Sequence, residues 1–302
     1  MVERVLVVGA SGALGGVIAA RLVAGGASVR GMTRDAARLA DLAAQGAEVV
    51  EGDLLQPATL VTACEGVGQI VSTANSFSGV GANSPTRVDV PGYRNLLHAA
   101  RRAGVRRIVH VSAVNIDRTS AVDFFRVKAE IDDVIRQSGV PFVLLRASAF
   151  LDVWVGLVLA EVNAGRPARI FGDGRRVANY IAIDDVARFV ARIVAAPEVT
   201  NQQVDIGGPS TLSQNELVDR IAEAIGRPIA RQHLPLPALR IGAVVLRPFN
   251  EMLARLMALG AWSAGADRRL DHWKAAADRF GVQPISAEAF LAGVRRRSSS
   301  SP

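Results

Sequence analysis

The sequence predicts an α/β protein with a doubly wound parallel sheet and a smaller, mixed C-terminal domain. Three observations predict this fold class. An apolar run at residues 4–8 leads into a glycine-rich turn and then a stretch with helical spacing. Short apolar runs alternate with helix-like stretches as far as residue 146, which is typical of parallel strands joined by right-handed crossovers. Beyond residue 146 the alternation loosens, which indicates a second, smaller unit.

The apolar run at residues 4–8 is predicted to be a strand buried on both faces, and residues 17–23 have helical spacing. A glycine turn between a strand and a helix presents backbone N–H groups and the positive end of the helix dipole to a diphosphate. The first glycine permits the tight turn, the second lets the backbone approach the phosphates, and the third lets helix and strand pack closely. We therefore expect a Rossmann dinucleotide site formed by Gly9, Ser11, Gly12, Ala13, Leu14 and Gly15.

The second predicted strand, residues 27–32, ends at Thr33, Arg34 and Asp35. An acidic residue at this position binds the ribose hydroxyls of NAD, whereas an arginine accommodates the 2′-phosphate of NADP. Asp35 is better explained as the N-cap of the next helix. We therefore expect Thr33 and Arg34 to contact the cofactor and NADP(H) to be preferred over NAD(H). A solvated surface arginine is the alternative for Arg34.

Four further strands are predicted at residues 48–51, 67–72, 106–111 and 142–146. In such a sheet the ligand lies over the carboxyl ends of the strands, so the loops that follow them are candidate site loops. Thr73 and Ala74 follow the fourth strand and join the expected cofactor-binding residues. We expect residues 1–150 to form an NAD(P)-binding Rossmann domain to which about 178–208 return, and residues 151–302 to form a smaller substrate-binding region.

The composition of the chain argues against several classes of protein and of partner. The 302 residues carry a net charge of +7, and Lys128 and Lys274 are the only lysines. The arginines are spread along the chain, so we expect no nucleic-acid partner. No uncharged apolar run is long enough to span a bilayer and no leader segment is visible, so a cytoplasmic protein without a membrane partner is expected. The single Cys64 excludes an internal disulfide, and the four histidines show no ligand spacing, so we expect no metal.

These residues resemble the extended and atypical short-chain dehydrogenase/reductase superfamily, most closely its NmrA-like branch. Five stretches carry the resemblance: Gly9-x-x-Gly12-x-x-Gly15, Gly52-Asp53-Leu54, residues 99–107, Leu144-Leu145-Arg146, and residues 181–187 with Asp184 and Asp185. The resemblance implies that Asp53 and Leu54 touch the adenine of the cofactor. It is specific for the superfamily but not for a substrate.

One departure from the superfamily pattern bears on catalysis. Orthodox members carry Tyr-x-x-x-Lys on the long helix, with the phenol as general acid, but this chain has Phe124 four residues before Lys128. The resemblance then leaves Lys128, Ser112 and Asn115 as candidate catalytic residues. Lys128 either holds the nicotinamide ribose or, if burial lowers its pKa, acts as proton donor or base; the alternative is a surface lysine. Ser112 is expected just after the fifth strand, where the family has a substrate-side serine, although a plain turn residue is the alternative.

Aromatic side chains suggest an apolar substrate. We expect Phe77, Phe124, Phe150 and Trp154 to line its pocket, with ordinary core packing as the alternative for each. The leading hypothesis is an NADPH-dependent reductase that delivers hydride to a small conjugated, quinone-like or aromatic carbonyl acceptor. The alternatives are a non-catalytic NADP(H)-sensing regulator and a biosynthetic tailoring isomerase or dehydratase. Residues 236–260 leave room for a homodimer or a lid.

Overall fold

The structure is a computed structural model that describes residues 3–299. The chain divides into two compact units. The first comprises Met1–Arg146 and Val186–Val204, and the second comprises Ala147–Asp185 and Asp205–Pro302. The polypeptide therefore leaves the first unit after Arg146, returns to it for residues 186–204, and leaves it again.

Within residues 3–299, twelve strands lie in three sheets. In chain order they are β1 Arg4–Val8, β2 Ser28–Thr33, β3 Glu48–Glu51, β4 Val67–Ser72, β5 Arg107–Ala113, β6 Phe142–Ala147, β7 Ala149–Phe150, β8 Ala168–Phe171, β9 Val177–Ile181, β10 Gln202–Ile206, β11 Ser210–Ser213 and β12 Arg231–Leu234. The largest sheet has seven strands in the order β10-β6-β5-β4-β1-β2-β3.

Twelve α-helices connect the strands, with 3₁₀ turns at Ala36–Leu39 and Gly81–Asn83. The helices are α1 Ala13–Ala24, α2 Ala40–Ala44, α3 Pro57–Cys64, α4 Pro85–Arg102, α5 Asp123–Gln137, α6 Leu151–Asn163, α7 Ile183–Val194, α8 Gln214–Ile225, α9 Leu236–Val245, α10 Glu251–Gly265, α11 Trp273–Phe280 and α12 Ala287–Ser299. None of the helices within residues 3–299 has the length and apolar character needed to cross a membrane.

The large sheet confirms the predicted fold class. Strand β1 pairs in parallel with both β2 and β4. Strand β2 also pairs in parallel with β3, and β4 pairs in parallel with β5. Val8 at the end of β1 is in register with Met32 on β2 and with Ser72 on β4. The carboxyl ends of these three strands therefore meet at one edge, from which the candidate site loops leave.

The first core is built from the middle of the sheet and the helices that cover it. Ile70 and Ile108 on neighbouring strands are fully buried with Leu96 of α4 and Ile135 of α5. Cys64 ends α3 in the same cluster, as the sequence predicted for a core thiol, and burial raises its pKa to about 11.

Two buried arginines stabilise helix ends in the first unit. The guanidinium of Arg107 on β5 donates to the carbonyls of Ile193 (2.8 Å) and Val199 (2.6 Å), at and beyond the end of α7. Arg30 on β2 donates to the carbonyl of Ala63 at 2.9 Å, near the end of α3. Helix C-terminal carbonyls lack intrahelical donors and attract cations, so part of the arginine content has a structural cause.

The second unit has two small sheets. Strand β9 pairs antiparallel with β11 and parallel with β7, whereas β8 and β12 form a parallel pair. A capping box starts α8, because Ser213 and Glu216 exchange hydrogen bonds between side chain and backbone. Residues 236–260, which leave room for a homodimer contact or a lid, fall in two helices, α9 and α10, interrupted at residues 246–250.

Candidate functional site

The turn between β1 and α1 brings two glycines against the end of β4. Gly9 has φ +90°, and a Cβ on it would lie 2.9 Å from both the Ala74 nitrogen and the Thr73 Oγ1. A Cβ on Gly15 would lie 2.0 Å from the Gly9 carbonyl oxygen. Real Cβ atoms do not approach other atoms this closely, so side chains at these positions would force the turn open.

The first turn of α1 faces open space. Gly12 is the N-cap, its N–H donates to the Gly9 carbonyl at 3.0 Å, and no side chain caps the helix. The first turn also contains no acidic residue. The amide groups of Ala13 and Leu14 therefore lack intrahelical acceptors, and with the helix dipole they make a suitable binding place for a diphosphate.

The end of β2 lies beside the glycine turn. Thr33 Oγ1 donates to Ser11 Oγ at 3.1 Å, which links the two candidate loops. The predicted N-cap role of Asp35 is confirmed, because its Oδ1 accepts from the Ala37 amide at 3.1 Å. Arg34 is exposed, and no residue in 3–299 forms an ion pair with it. Its guanidinium is thus available to an anionic group.

Arg38 is a second cation at this corner that sequence reasoning missed. Its Nη2 donates to the Ser11 carbonyl at 3.3 Å, so the guanidinium lies against the glycine turn itself. Arg38 belongs to the 3₁₀ turn that Asp35 caps and follows Arg34 by four residues. That spacing was the available sequence signal.

The residues expected at the adenine lie after β3. Asp53 is half-buried, and its Oδ1 accepts from the Leu55 amide at 2.8 Å. Leu54 is buried, and its carbonyl accepts from Asn95 Nδ2 at 3.0 Å. The structure thus explains both residues by the turn they form, and contact with a cofactor stays a prediction.

Lys128 is a buried lysine, which excludes the surface alternative. Its side chain is 8% exposed, and Nζ donates to the Val111 carbonyl at 3.3 Å. Burial lowers the pKa of Lys128, while the carboxylates of Asp132 and Asp89 act in the opposite direction. The ammonium therefore lies in a protein interior with acidic neighbours, near the end of β5.

Those two carboxylates were not among the predicted site residues. Asp132 is fully buried, and its Oδ2 accepts from Arg146 Nε at 3.1 Å and Nη2 at 2.9 Å. Burial raises the pKa of Asp132, and Arg146 and Ser112 counteract this. Asp89 Oδ2 accepts from the Ser76 amide at 3.0 Å. For Asp132 a signal existed, because it follows Lys128 by four residues on one helix face.

Tyr93 of α4 holds the segment that the glycines contact. Its Oη is 2.5 Å from Ser72 Oγ and donates to the Ala74 carbonyl at 2.9 Å. Burial raises the pKa of Tyr93 well above its usual range, so the phenol stays protonated. A fully buried phenol between these partners positions the end of β4, on which the turn at Gly9 depends.

The ring of His110 packs edge-on against Tyr93 with centroids 4.9 Å apart. The predicted core role of this residue is confirmed, because it is fully buried on β5. Burial and the Lys128 ammonium lower the pKa of His110 well below the ordinary value of 6.5. The imidazole is therefore neutral in the folded protein.

We expect this to make folding sensitive to acid. Below pH 6.5 the unfolded chain binds a proton at His110 that the folded chain does not, so the free energy of unfolding falls as pH falls. Urea titrations at pH 7 and pH 5 measure how much the free energy of unfolding falls with pH. The variant His110→Leu should reduce that fall by up to about 1.4 kcal/mol per pH unit. His98→Leu, at an exposed position on α4, is the matched control and should keep it.

Ser112 and Asn115 lie differently from the expectation. The prediction that Ser112 follows the fifth strand is wrong: β5 continues to Ala113, and Ser112 is a buried strand residue. The predicted strand ended at Val111 because the next residue, Ser112, is polar. Asn115 is exposed with φ 57°, a left-handed conformation that asparagine adopts readily. Catalytic roles for both stay predictions.

Two of the four predicted pocket aromatics contact each other. The Phe77 and Phe124 rings meet edge-to-face with centroids 4.9 Å apart, and Lys128 Nζ lies 5.3 Å from the Phe124 centroid. Phe150 and Trp154 belong to the second unit. There Trp154 lies 6.1 Å from Phe171, ring centroid to ring centroid, within the core of that unit.

Comparison with known proteins identifies relatives of this chain. The chain is 24% identical over 236 residues to the photosystem II assembly factor Ycf39 of Trieres chinensis, covering 78% of this chain and 73% of the relative. It is 26% identical over 225 residues to an NAD(P)H azoreductase of Xenophilus azovorans, covering 74% and 75%. An NADPH-dependent quinone oxidoreductase of Escherichia coli, solved with NADPH, has a similar fold: TM-score 0.78, 20% identity, 97% and 99% coverage.

A family model covers most of the sequence. The match runs over residues 1–259, from the first strand through both β-sheets of the second unit and into α10. It includes the glycine turn, the end of β2 and the buried lysine described above. On this match the chain belongs to the NmrA-like family, in agreement with the resemblance drawn from its motifs.

Proposed function

We propose that the chain is an NADPH-dependent oxidoreductase that delivers hydride to a small conjugated, quinone-like or aromatic carbonyl acceptor without the usual catalytic tyrosine. The observation that carries this proposal is the arrangement of Phe77, Phe124 and Lys128. Where orthodox relatives carry a phenol, this chain has a half-buried ring in edge-to-face contact with a second ring, with a buried ammonium one helical turn away. Such a surface favours a flat apolar acceptor.

The glycine turn fits a dinucleotide. Side chains are excluded at Gly9 and Gly15, and the uncapped first turn of α1 offers amide donors for a diphosphate. Arg34 and Arg38 would bind a 2′-phosphate at the end of β2, which supports NADP(H) over NAD(H). When bound, the reduced nicotinamide supplies the hydride.

The missing phenol decides which acceptors suit this chain. A simple ketone needs a proton at its oxygen as hydride arrives, and Phe124 has none to give. A quinone-like acceptor delocalises the added charge and takes its proton from solvent. Lys128, with its pKa lowered by burial, is the remaining nearby group that holds the ribose or supplies a proton, with Ser112 and Asn115 as further candidates.

Relatives support a reductase of this kind in general terms. Two of the proteins compared above are an azoreductase and a quinone oxidoreductase, and both names specify conjugated acceptors. Phe150 and Trp154 of the second unit stay predicted substrate contacts. The partner is then a small apolar molecule.

Steady-state oxidation of NADPH tests the proposal. A panel of a benzoquinone, a naphthoquinone and an azo dye should give turnover that depends on the chain, whereas a saturated ketone should give none. The absorbance of NADPH reports the rate for every acceptor. Turnover of the ketone alone, or of none of the acceptors, would contradict the proposal.

Arg34→Ala should reduce the preference for NADPH over NADH by about tenfold, because one charge-assisted contact to the 2′-phosphate is lost. Dissociation constants for both nucleotides, measured by calorimetry, give the ratio. Affinity for NADH is the internal control, since it has no 2′-phosphate and should not change. If Arg34→Ala weakened the binding of NADPH and NADH equally, the role of Arg34 would be refuted. The variant Arg38→Ala measures the contribution of the second guanidinium on its own.

Phe124→Leu should raise KM for an aromatic acceptor roughly threefold to tenfold, the effect of losing one ring-on-ring contact. The Kd for NADPH should stay the same, because Phe124 contributes no group to the glycine turn or to the end of β2. Kinetics with the best acceptor of the panel measure the first quantity, and calorimetry the second. An unchanged KM would remove Phe124 from the acceptor site.

A non-catalytic NADP(H)-sensing regulator is the second candidate. It is favoured by the similarity to an assembly factor, together with the absence of the phenol. A sensor should bind NADPH and NADP⁺ with different affinity and oxidise no acceptor. The same calorimetry and acceptor panel therefore separate the two functions.

A further inference from the structure

Helix α9 and the turn after it carry an exposed apolar surface in the second unit. Ile241, Val244 and Val245 are 64%, 73% and 56% exposed, and Phe249 is 84% exposed. Their spacing of three and four residues places the helix positions on one face. We name this surface the apolar ridge; it consists of Pro237, Ile241, Val244, Val245, Pro248 and Phe249.

Positive charge accompanies the ridge. Arg240 and Arg247 alternate with its apolar residues and are exposed, and neither forms an ion pair with any residue the structure describes. Between residues 236 and 260 the sequence has one acidic residue, Glu251, and the whole chain carries a net charge of +7. A partner for this surface must therefore be apolar at its centre and negative around it.

We propose that the apolar ridge docks this chain on the surface of an anionic lipid bilayer. Val244 and Phe249 would enter the boundary between headgroups and acyl chains, and Arg240 and Arg247 would pair with lipid phosphates. Apolar burial plus attraction to anionic lipid is what holds interfacial helices on membranes, and it needs no spanning helix. This proposal departs from the sequence expectation of no membrane partner, which considered only spanning segments, and it is independent of the proposed function.

Charge argues against a second copy of the chain as the occupant. In a two-fold dimer over this ridge, both copies would bring Arg240 and Arg247 into the same buried patch. Residues 236–260 of each copy carry one carboxylate, Glu251, so two carboxylates would face these four guanidinium groups, two from each copy, and like charges would lose water without enough partners. An anionic bilayer instead supplies many phosphates beside an apolar layer.

Co-sedimentation with vesicles tests the proposal. The full chain should bind phosphatidylcholine vesicles containing about one third phosphatidylglycerol, and bind pure phosphatidylcholine vesicles far less. Binding should fall when the ionic strength rises from about 0.05 M to about 0.5 M, because salt screens the arginine–phosphate attraction.

Matched variants assign the effect to the ridge. Phe249→Ser should lower partitioning onto anionic vesicles roughly tenfold or more. The double variant Arg240→Gln with Arg247→Gln should lower it about 30-fold, at the usual contribution per arginine near such a surface. Leu157→Ser is the control: it removes an equally apolar side chain that is 53% exposed on α6, and should bind as the wild type does.

Three results would overturn the proposal. One is equal binding to neutral and anionic vesicles. Another is unchanged binding by both ridge variants. Both change exposed positions, so if one of them folds poorly the other still tests the proposal. The third is a dimer in sedimentation velocity that Phe249→Ser dissociates, without vesicle binding by the wild type; this would assign the ridge to a second copy.

Discussion

Replacing Gly15 by alanine should abolish nucleotide binding. The new Cβ would lie 2.0 Å from the Gly9 carbonyl oxygen and close to Thr73, so either the turn or the start of α1 must move. Both possible movements displace the amide donors of the first turn, on which diphosphate binding depends. We expect NADPH affinity to fall by at least about 100-fold, and the free energy of unfolding to fall by about 1–3 kcal/mol because the contact is overpacked.

Gly16→Ala is the matched control for this substitution. It makes the same chemical change one residue further along α1, where the nearest neighbour of a new Cβ is the Ala10 carbonyl oxygen at 3.3 Å. Alanine also favours the helix over glycine. Calorimetric titration with NADPH should show wild-type affinity for Gly16→Ala. Wild-type affinity for Gly15→Ala would mean that the turn does not hold the diphosphate.

Asp132→Asn should destabilise the fold by about 3–5 kcal/mol, the usual cost of removing one partner from a buried ion pair. The substitution leaves Arg146, which donates twice to this carboxylate, and the buried Lys128 without their shared counter-charge. Urea unfolding at neutral pH measures the loss. Turnover should fall as well, since the position of Lys128 depends on the same carboxylate.

Its neighbour Asp133 supplies the control. Asp133 is 34% exposed on the same helix and pairs with Arg118 and Arg136 at 3.3 Å and 3.1 Å. Exposed ion pairs contribute little, so Asp133→Asn should cost at most about 1 kcal/mol. Similar losses for the two variants would show that the charge of Asp132 has no special place in the interior.

Much of the first unit was predictable because its signals are local. Strands β3 and β4 have the bounds that the sequence predicted for them. Helix α4 begins at Pro85, which occupies the first helical position, where the missing N–H is tolerated. The glycine turn was equally accessible, since backbone geometry at Gly9 and Gly15 allows no other residue.

The small sheets of the second unit gave no such signal. Strand β12 includes the polar residues Arg231, Gln232 and His233, and it pairs with β8 about sixty positions earlier. Neither strand has a long apolar or alternating pattern of its own. Pairing between distant segments supplies the stability that local propensity lacks, and a single sequence does not reveal such pairing.

The buried polar residues around Lys128 were hidden for the same reason. Asp89 and Asp132 lie on different helices, and Arg146 lies on β6. These charged side chains therefore come together around Lys128 only through the topology of the fold. Tyr93 was missed although it fixes Ser72 and Ala74 beside the glycine turn. Sequence reasoning thus identified the glycines of the candidate dinucleotide turn, whereas the groups that hold this turn in shape required the structure.

A single-turnover experiment tests the central claim most directly. The chain, in excess over NADPH so that the nucleotide is bound, is mixed with a naphthoquinone while the NADPH absorbance is followed. We expect the NADPH absorbance to decay only when the chain is present. This decay should disappear in Gly15→Ala and should persist in Phe124→Leu at a higher quinone concentration. Bound NADPH whose absorbance stays constant with every conjugated acceptor would contradict it.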